Sequence, residues 1–130
     1  MKMTPAQITA AYRAVLEVSR SVMPYQTARK IAKLVRALKS ENDVVATADR
    51  ALAERYGGSV SPGGSVKFPD PESSSEFANA RAEYMQQEAD IRLPQVDISK
   101  YAGMLQISPD AICALDGILT FEAEEDDTDG

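Results

Sequence analysis

Residues 22–38 read VMPYQTARKIAKLVRAL and set the architecture of this 130-residue chain. Pro24 disfavours helical geometry in the residue before it, so a helix that reaches this point must end. After Pro24, apolar residues recur with helical spacing from Ile31 to Leu38, which predicts an amphipathic helix. Because the corner Met23–Tyr25 is short, the two helices that it joins are predicted to pack antiparallel.

The helix before the corner is predicted to begin with Thr4 as its N-cap and Pro5 as its first helical residue. Its predicted buried face comprises Ile8, Tyr12, Val15, Leu16, Val18, Ser19 and Val22. The helix after the corner is predicted to run from Tyr25 to Tyr56 and to end at the cap Gly57-Gly58. A break near Ser40–Asp43 is an alternative, because Ser, Asn and Asp side chains compete with helical hydrogen bonds.

The rest of the chain is predicted to form shorter elements. Residues 57–71 contain four glycines and three prolines and predict a flexible loop or a loose hairpin around Ser59–Phe68. Ser73, in capping-box spacing with a glutamate, predicts the start of a third helix. Alternating apolar residues across 91–98 predict a small β element, and Ser108 before Pro109 predicts a short C-terminal helix.

Together these elements predict a mainly α fold of the α+β class. It consists of an antiparallel helical hairpin with one long helix, the β element near 91–98 and the short C-terminal helix. Residues 1–121 are predicted to form a single helical domain. Residues 122–130 include six acids that repel one another and almost nothing to bury, so they predict a disordered acidic tail.

The composition excludes most familiar catalytic and metal-binding arrangements. Without histidine, the chain can build neither a histidine general base nor a zinc site that uses one. It also lacks the glycine-rich motifs that hold nucleotide phosphates. The one cysteine, Cys113, has apolar neighbours and is predicted to be a buried structural thiol. We therefore expect no enzyme activity, no cofactor and no metal.

The hydropathy pattern predicts an intracellular protein. The N-terminal residues have no apolar run of the kind found in signal peptides. No segment approaches the roughly 20 apolar residues that cross a bilayer. We expect no membrane partner.

Charge is divided unevenly along the chain. Residues 1–40 carry eight basic side chains and one acid, Glu17, for a net charge of +7, whereas residues 41–130 carry six bases and nineteen acids, for −13. Such an asymmetry indicates a binding surface more than a catalytic pocket. The sequence pI near 4.6 and the lack of a recognition motif argue against duplex nucleic acid as the partner.

Five cations fall on one side of the second helix. At about 100° per residue, Arg29, Lys33 and Arg36 lie within about 60° of one another, and Lys30 and Lys39 flank them. The candidate ligand-binding residues are Arg29, Lys33 and Arg36, with Arg13 and Arg20 from the first helix. This side is either a solvated face that balances acids elsewhere, or a binding surface for an anionic small molecule or an acidic protein.

The order of these signals resembles a group of small uncharacterised proteins encoded by tailed bacteriophages and prophages. The resemblance rests on Val22–Tyr25 followed by Arg29–Ala32, then on Asp97–Ser99, and finally on Ile107–Leu115. It covers most of residues 4–119. The long loop and the acidic tail depart from the pattern of the group. The resemblance implies a phage accessory protein in the cytoplasm of an infected bacterial host, and it supplies no site residue.

A phage protein of this size without catalytic equipment is expected to act by binding. One hypothesis is that it antagonises host anti-phage defence, by sequestering an anionic nucleotide signal or by capping a defence protein. The alternative is a structural or tail-assembly factor of the virion.

A homodimer or higher oligomer is also predicted, because Val45–Tyr56 keeps apolar positions beyond the reach of the first helix.

Overall fold

A computed structural model of the protein describes residues 1–101, 105 and 107–121. Within these residues the fold is mainly helical, with helices α1 (Pro5–Ser19), α2 (Tyr25–Arg55), α3 (Pro71–Tyr84) and α4 (Pro109–Ala114). The strands are short: β1 (Lys2–Met3), β2 (Ser59–Val60), β3 (Val66–Lys67), β4 (Ala89–Asp90), β5 (Val96–Asp97) and β6 (Leu119–Thr120). The predicted fold class is thereby confirmed. The predicted acidic tail lies outside the described residues.

Helix α1 begins where its sequence predicts. The Thr4 hydroxyl accepts the backbone N–H of Gln7 at 3.2 Å, and the Gln7 side chain accepts the N–H of Thr4 at 2.9 Å. This reciprocal capping box satisfies two N–H groups that a helix start leaves without partners. The helix ends at Ser19, several residues before Pro24, so the predicted continuation of its buried face to Ser19 and Val22 is wrong.

Helices α1 and α2 form the predicted antiparallel hairpin. The Thr9 hydroxyl donates to Asn42 Oδ1 at 2.9 Å, which joins the first half of α1 to the middle of α2. Buried side chains on the facing sides include Ile8, Val15 and Val18 from α1 and Ile31, Leu34 and Leu38 from α2. Because this hydrogen bond is part-buried, it also fixes how far one helix is shifted along the other.

Helix α2 is continuous over 31 residues, so the break considered at Ser40–Asp43 does not occur. The serine, asparagine and aspartate there each have a partner that is compatible with the helix. The Ser40 hydroxyl donates to the carbonyl of Arg36 at 3.1 Å, and Lys39 Nζ lies 3.2 Å from Asp43 Oδ2. Asn42 accepts from α1. These partners remove the competition with the helix backbone that would otherwise favour a break.

The predicted glycine cap of α2 is confirmed. Gly57 adopts a φ of 80°, which glycine tolerates better than any other residue. The N–H groups of Gly57 and Gly58 donate to the carbonyls of Glu54 and Ala53 at 3.0 and 2.9 Å, the pattern of a Schellman motif. A Cβ on Gly58 would lie 2.9 Å from the Ala53 oxygen, so the second glycine is required by close packing. The predicted hairpin follows as β2 paired antiparallel with β3.

Helix α3 begins earlier than predicted. Asp70 is the N-cap, since its carboxylate accepts the N–H of Ser73 at 2.7 Å, and Pro71 is the first helical residue. Ser73 therefore lies inside the first turn and does not cap it. The acid-proline pair is a stronger start signal than the serine run because it combines a charged acceptor with a preset φ.

Strand pairs and α4 close the remaining side of the core. β1 pairs antiparallel with β4, and β5 pairs parallel with β6. The predicted β element near 91–98 is thus confirmed, whereas the N-terminal strand β1 was not predicted.

Helix α4 packs against α1, and its N-cap is Ser108, whose hydroxyl accepts the N–H of Ala111 at 3.2 Å. Cys113 on α4 is exposed, so the prediction of a buried thiol is wrong. The apolar contacts of α4 come instead from Ala111, with Leu115 just beyond its end.

The C-terminal half of α2 is covered within the chain. Helix α3 and strand β2 pack against it, and Val45 and Ala53 are buried. Phe68 and Phe77 stack with ring centroids 5.0 Å apart, which links the hairpin to α3. The exposed apolar surface that suggested a dimer is therefore partly buried in one chain. The dimer remains a prediction, which light scattering at tens of micromolar tests.

Candidate binding surface

The basic face of α2 comprises Arg29, Lys30, Lys33, Arg36 and Lys39, all of which are exposed. It lies opposite the buried stripe of the same helix, because that stripe packs against α1 and the core. The long helix fixes the spacing of the cations, so their charges share one convex surface. The arrangement predicted from helical geometry is present.

The cations of the basic face differ in their local contacts. The guanidinium of Arg29 lies 5.8 Å from the ring centroid of Tyr25, a cation–π contact. Arg36 Nε donates to the carbonyl of Ala32 at 3.3 Å, and Lys39 pairs with an aspartate one turn later. Among the residues that the structure describes, Arg29, Lys33 and Arg36 belong to no ion pair. These three cations are the exposed charges of the face that no described acid pairs with.

Arg13 and Arg20 are also exposed, but they belong to a different part of the surface. Arg13 lies on the outer side of α1, away from the residues that pack against α2. Arg20 follows the end of α1 at the corner between the two helices. The structure thus groups three of the five candidate residues on one helix face and leaves Arg13 and Arg20 off that face.

The corner between α1 and α2 carries exposed apolar side chains. Val22 is 95% exposed and Tyr25 is 76% exposed. Val22 lies in the corner before α2, and Tyr25 is the first residue of α2 and contacts Arg29. Exposed tyrosine beside arginine is the composition that protein interfaces favour at their energetic centres. The corner was predicted as a turn, and its exposure was not foreseen.

An open cleft of about 1020 Å³ lies at the same corner. Its lining residues are Glu17, Arg20, Ser21, Val22, Met23, Pro24 and Tyr101. Arg20 is the one cation among them, and it shares the cleft with the carboxylate of Glu17. The cations of the basic face do not line this cleft. Its electrostatics therefore suit an anionic ligand poorly.

Glu17 has a structural role that its position in the sequence does not reveal. Its Oε1 accepts the backbone N–H of Ser108 at 2.8 Å, and its Oε2 accepts the Ser108 hydroxyl at 3.2 Å. A carboxylate from α1 thereby completes the N-terminal cap of α4. The only available signal was that Glu17 is the sole acid among residues 1–40.

The strand pair β5–β6 is joined to α2 through β5. Strand β5 contacts α2. Hydrogen bonds from the side chain and backbone N–H of Ser99 lower the pKa of Asp97, and the charges of Lys100 and Lys30 lower it further. Asp97 is the Cα partner of Thr120 on β6. The described chain thus ends on a strand pair that contacts α2.

Other site types find no support in the described part of the chain. No group of three or more cysteine, aspartate and glutamate side chains there could hold a metal ion. Over the same residues, no helix combines the length and the apolar character needed to cross a membrane. Comparison with family models, curated proteins and solved structures finds no match to this chain. The resemblance to phage accessory proteins therefore remains a prediction.

Proposed function

We propose that the protein acts by binding an acidic region of a partner protein, with the basic face of α2 as the contact surface. The observation that carries the proposal is the set Arg29, Lys33 and Arg36. These cations lie on one face of a continuous helix and form no ion pair within the described residues. Clustered cations of this kind favour association with negative surfaces and speed the encounter.

The shape of the surface favours a protein over a small molecule. Ligand pockets are concave and bury most of a small ligand, whereas the basic face is convex and exposed. The nearby cleft lacks these cations. Tyr25 adds exposed apolar area beside Arg29, which a flat partner surface can bury. A sequestered nucleotide ranks second for these reasons. Its site would be the cleft, where Arg20 is the one basic residue of the lining.

The biological setting is part of the same proposal. If the phage resemblance holds, the partner is a host defence protein that this chain caps in the cytoplasm of the infected bacterium. The alternative is a contact with an acidic surface of a virion protein during assembly. Both versions use the same face and neither requires catalysis by this chain.

Charge reversal on α2 tests the proposed surface. The chain with Arg29→Glu, Lys33→Glu and Arg36→Glu is compared with the unmodified chain in affinity capture from infected and uninfected cells, followed by titration of each captured protein. We expect the affinity to fall at least about tenfold, because close charge pairs across interfaces contribute more than about 1.4 kcal/mol together. The melting temperature should stay within a few degrees, since exposed charges contribute little to stability.

A matched control separates the basic face from net charge. The control variant carries Arg50→Glu, Arg55→Glu and Lys67→Glu, three exposed cations elsewhere, and reaches the same net charge. It should bind like the unmodified chain. If both variants lose binding equally, or neither does, the proposed surface is wrong. If the reversal unfolds the chain, Arg29→Gln, Lys33→Gln and Arg36→Gln replace it, and retained binding by that variant also contradicts the proposal.

The identity of the captured material distinguishes the partner classes. A host protein supports capping, and a capsid or tail protein supports the assembly role. Mass spectrometry of small molecules released from the purified chain tests the second candidate. A retained nucleotide whose binding depends on Arg20 and not on Arg29 would overturn the protein-partner proposal.

A further inference from the structure

The last strand fixes where the acidic C-terminal segment leaves the fold. In the parallel pair β5–β6, the N–H of Ile98 donates to the carbonyl of Thr120 at 2.9 Å. Phe121 is half-buried and packs against the core. The chain is thus anchored up to residue 121, and residues 122–130 start from a defined point.

That point lies on a strand pair that contacts α2. Strand β5 contacts α2, and Asp97, which is paired with Thr120, lies within the field of Lys30. Lys30 flanks the basic face. The acidic segment therefore begins at a strand pair that contacts the helix carrying the basic face.

Residues 122–130 are long enough to span the basic face and carry the opposite charge. The nine residues 122–130 can extend about 30 Å, whereas the helix rise from Arg29 to Lys39 is only about 15 Å. The segment holds six acids, and the basic face holds five cations. A tether this short keeps its end at an effective concentration of roughly millimolar, so a weak contact suffices.

We propose that residues 122–130 bind the basic face of α2 in the same chain and act as an internal competitor for the acidic partner. The second part rests on the proposed function, and the first part stands without it. The contact is electrostatic and exposed, so it weakens as salt shortens the Debye length. A partner must displace the segment, which makes binding selective for surfaces that are more acidic or more extensive than the segment itself.

Paramagnetic broadening in solution measures the contact in the full chain. The exposed Cys113 is replaced by Ser, Thr128 by Cys, and a nitroxide is attached at position 128. At about 20 mM salt we expect the amide signals of residues 29–39 to lose at least half of their intensity. At about 500 mM salt the signals should recover, because the Debye length falls from roughly 20 Å to below 5 Å.

Two controls make the outcome specific. The broadening should disappear when Arg29, Lys33 and Arg36 are changed to Gln. It should persist when Arg50, Arg55 and Lys67 are changed to Gln. A mixture of nitroxide-labelled chain with isotope-labelled, nitroxide-free chain should show no broadening, which excludes contact with a second copy. Absence of broadening at low salt, equal broadening in both variants, or transfer between copies would each overturn the proposal.

Competition is tested separately with the partner captured above. Neutralising all six acids with Gln or Asn should raise partner affinity at least about threefold, because no internal contact must then be displaced. The charge-matched control neutralises six exposed acids elsewhere: Glu54, Glu72, Glu76, Glu83, Glu88 and Asp116. If the nitroxide broadens the signals of residues 29–39 but no partner is captured, the contact of residues 122–130 stands and only the proposed function is contradicted. Partner binding that neutralisation leaves unchanged contradicts the competition.

Discussion

At the scale of single residues, the least expected contact is the one by which Glu17 on α1 caps α4. Its carboxylate accepts two hydrogen bonds from Ser108, which lies 91 positions later in the chain. One of the donors is the N–H of the α4 N-cap, a group that otherwise requires water or a glutamate from its own helix. The pair is part-buried and joins the end of α1 to the start of α4 at the corner beside the cleft.

Replacing Glu17 by Ala should destabilise the protein by about 2 kcal/mol, because hydrogen bonds to a charged group are lost and a part-buried N–H is left without a partner. The melting temperature should fall by roughly 6–10 °C for a chain of this size. Thermal unfolding followed by circular dichroism measures the change. Glu54→Ala on the exposed side of α2 is the control and should stay within about 0.5 kcal/mol. Equal effects would show that the contact with Ser108 contributes nothing.

Asp70 provides the clearest pH dependence. Hydrogen bonds from the backbone N–H and then the side chain of Ser73 hold its pKa below the ordinary 3.8. A depressed pKa in the folded state stabilises α3 above pH 3.8, and this contribution is lost as the pH falls through the folded value. A carboxyl-carbon NMR titration should therefore give a midpoint below 3.8 for Asp70. In the Asp70→Asn variant, the protection of the α3 amides from hydrogen exchange should not change as the pH falls through that midpoint. A midpoint at or above 3.8 would contradict the cap.

At the scale of elements, α3 is the helix with the weakest attachment. All of its residues remain at least partly exposed, and its named links are the Phe68–Phe77 ring contact and the Arg81–Asp49 ion pair. The ion pair is exposed and contributes little. Local opening is expected to start in elements with few buried contacts. Helix α3 is therefore predicted to open before the α1–α2 hairpin.

Phe77→Ala should release α3 without unfolding the rest of the chain. It removes the ring contact with Phe68, which follows β3 and joins the β2–β3 hairpin to α3 at a centroid distance of 5.0 Å. Hydrogen exchange should then accelerate across α3 and leave α1 and the first half of α2 unchanged. Leu38→Ala, at a fully buried position of α2, is the contrasting variant and should cost about 2–5 kcal/mol throughout the fold. Uniform acceleration in Phe77→Ala would mean that α3 is part of the main cooperative unit.

At the scale of the whole molecule, charge is arranged for contact more than for stability. The described residues hold one buried apolar core, and the two ion pairs among them are exposed. Stability therefore comes mainly from apolar burial, which salt affects little, whereas binding through the basic face depends on unscreened charge.

Raising sodium chloride from about 20 to 500 mM should shift the melting temperature by no more than a few degrees. Over the same range, partner binding should weaken at least about tenfold, since the Debye length falls below the spacing of the cations. Calorimetry measures the first quantity and titration with the captured partner measures the second. A melting temperature that changes by more than about 10 °C would show that the charges of this chain are structural.

Much of the fold follows from local signals. The start of α1 at Thr4-Pro5, the glycine cap of α2 and the start of α4 at Ser108-Pro109 were all predicted, because each depends on a few adjacent residues. The basic face was also predicted, because helical geometry alone groups Arg29 with Arg36. The start of α3 at Asp70 was missed because two start signals are adjacent in the sequence, Asp70-Pro71 and Ser73. The helix begins at the first, where the carboxylate is the stronger hydrogen-bond acceptor.

The remaining features depend on contacts between distant segments. Glu17 with Ser108, β1 with β4, and the cover over the second half of α2 each join residues that no local rule connects. Local caps and periodicity follow from hydrogen bonds and rotation within one or two turns, so the sequence predicts them directly. Which segment fills a given surface depends on the global competition to bury apolar area and satisfy polar groups, and that competition is resolved only when the whole chain packs.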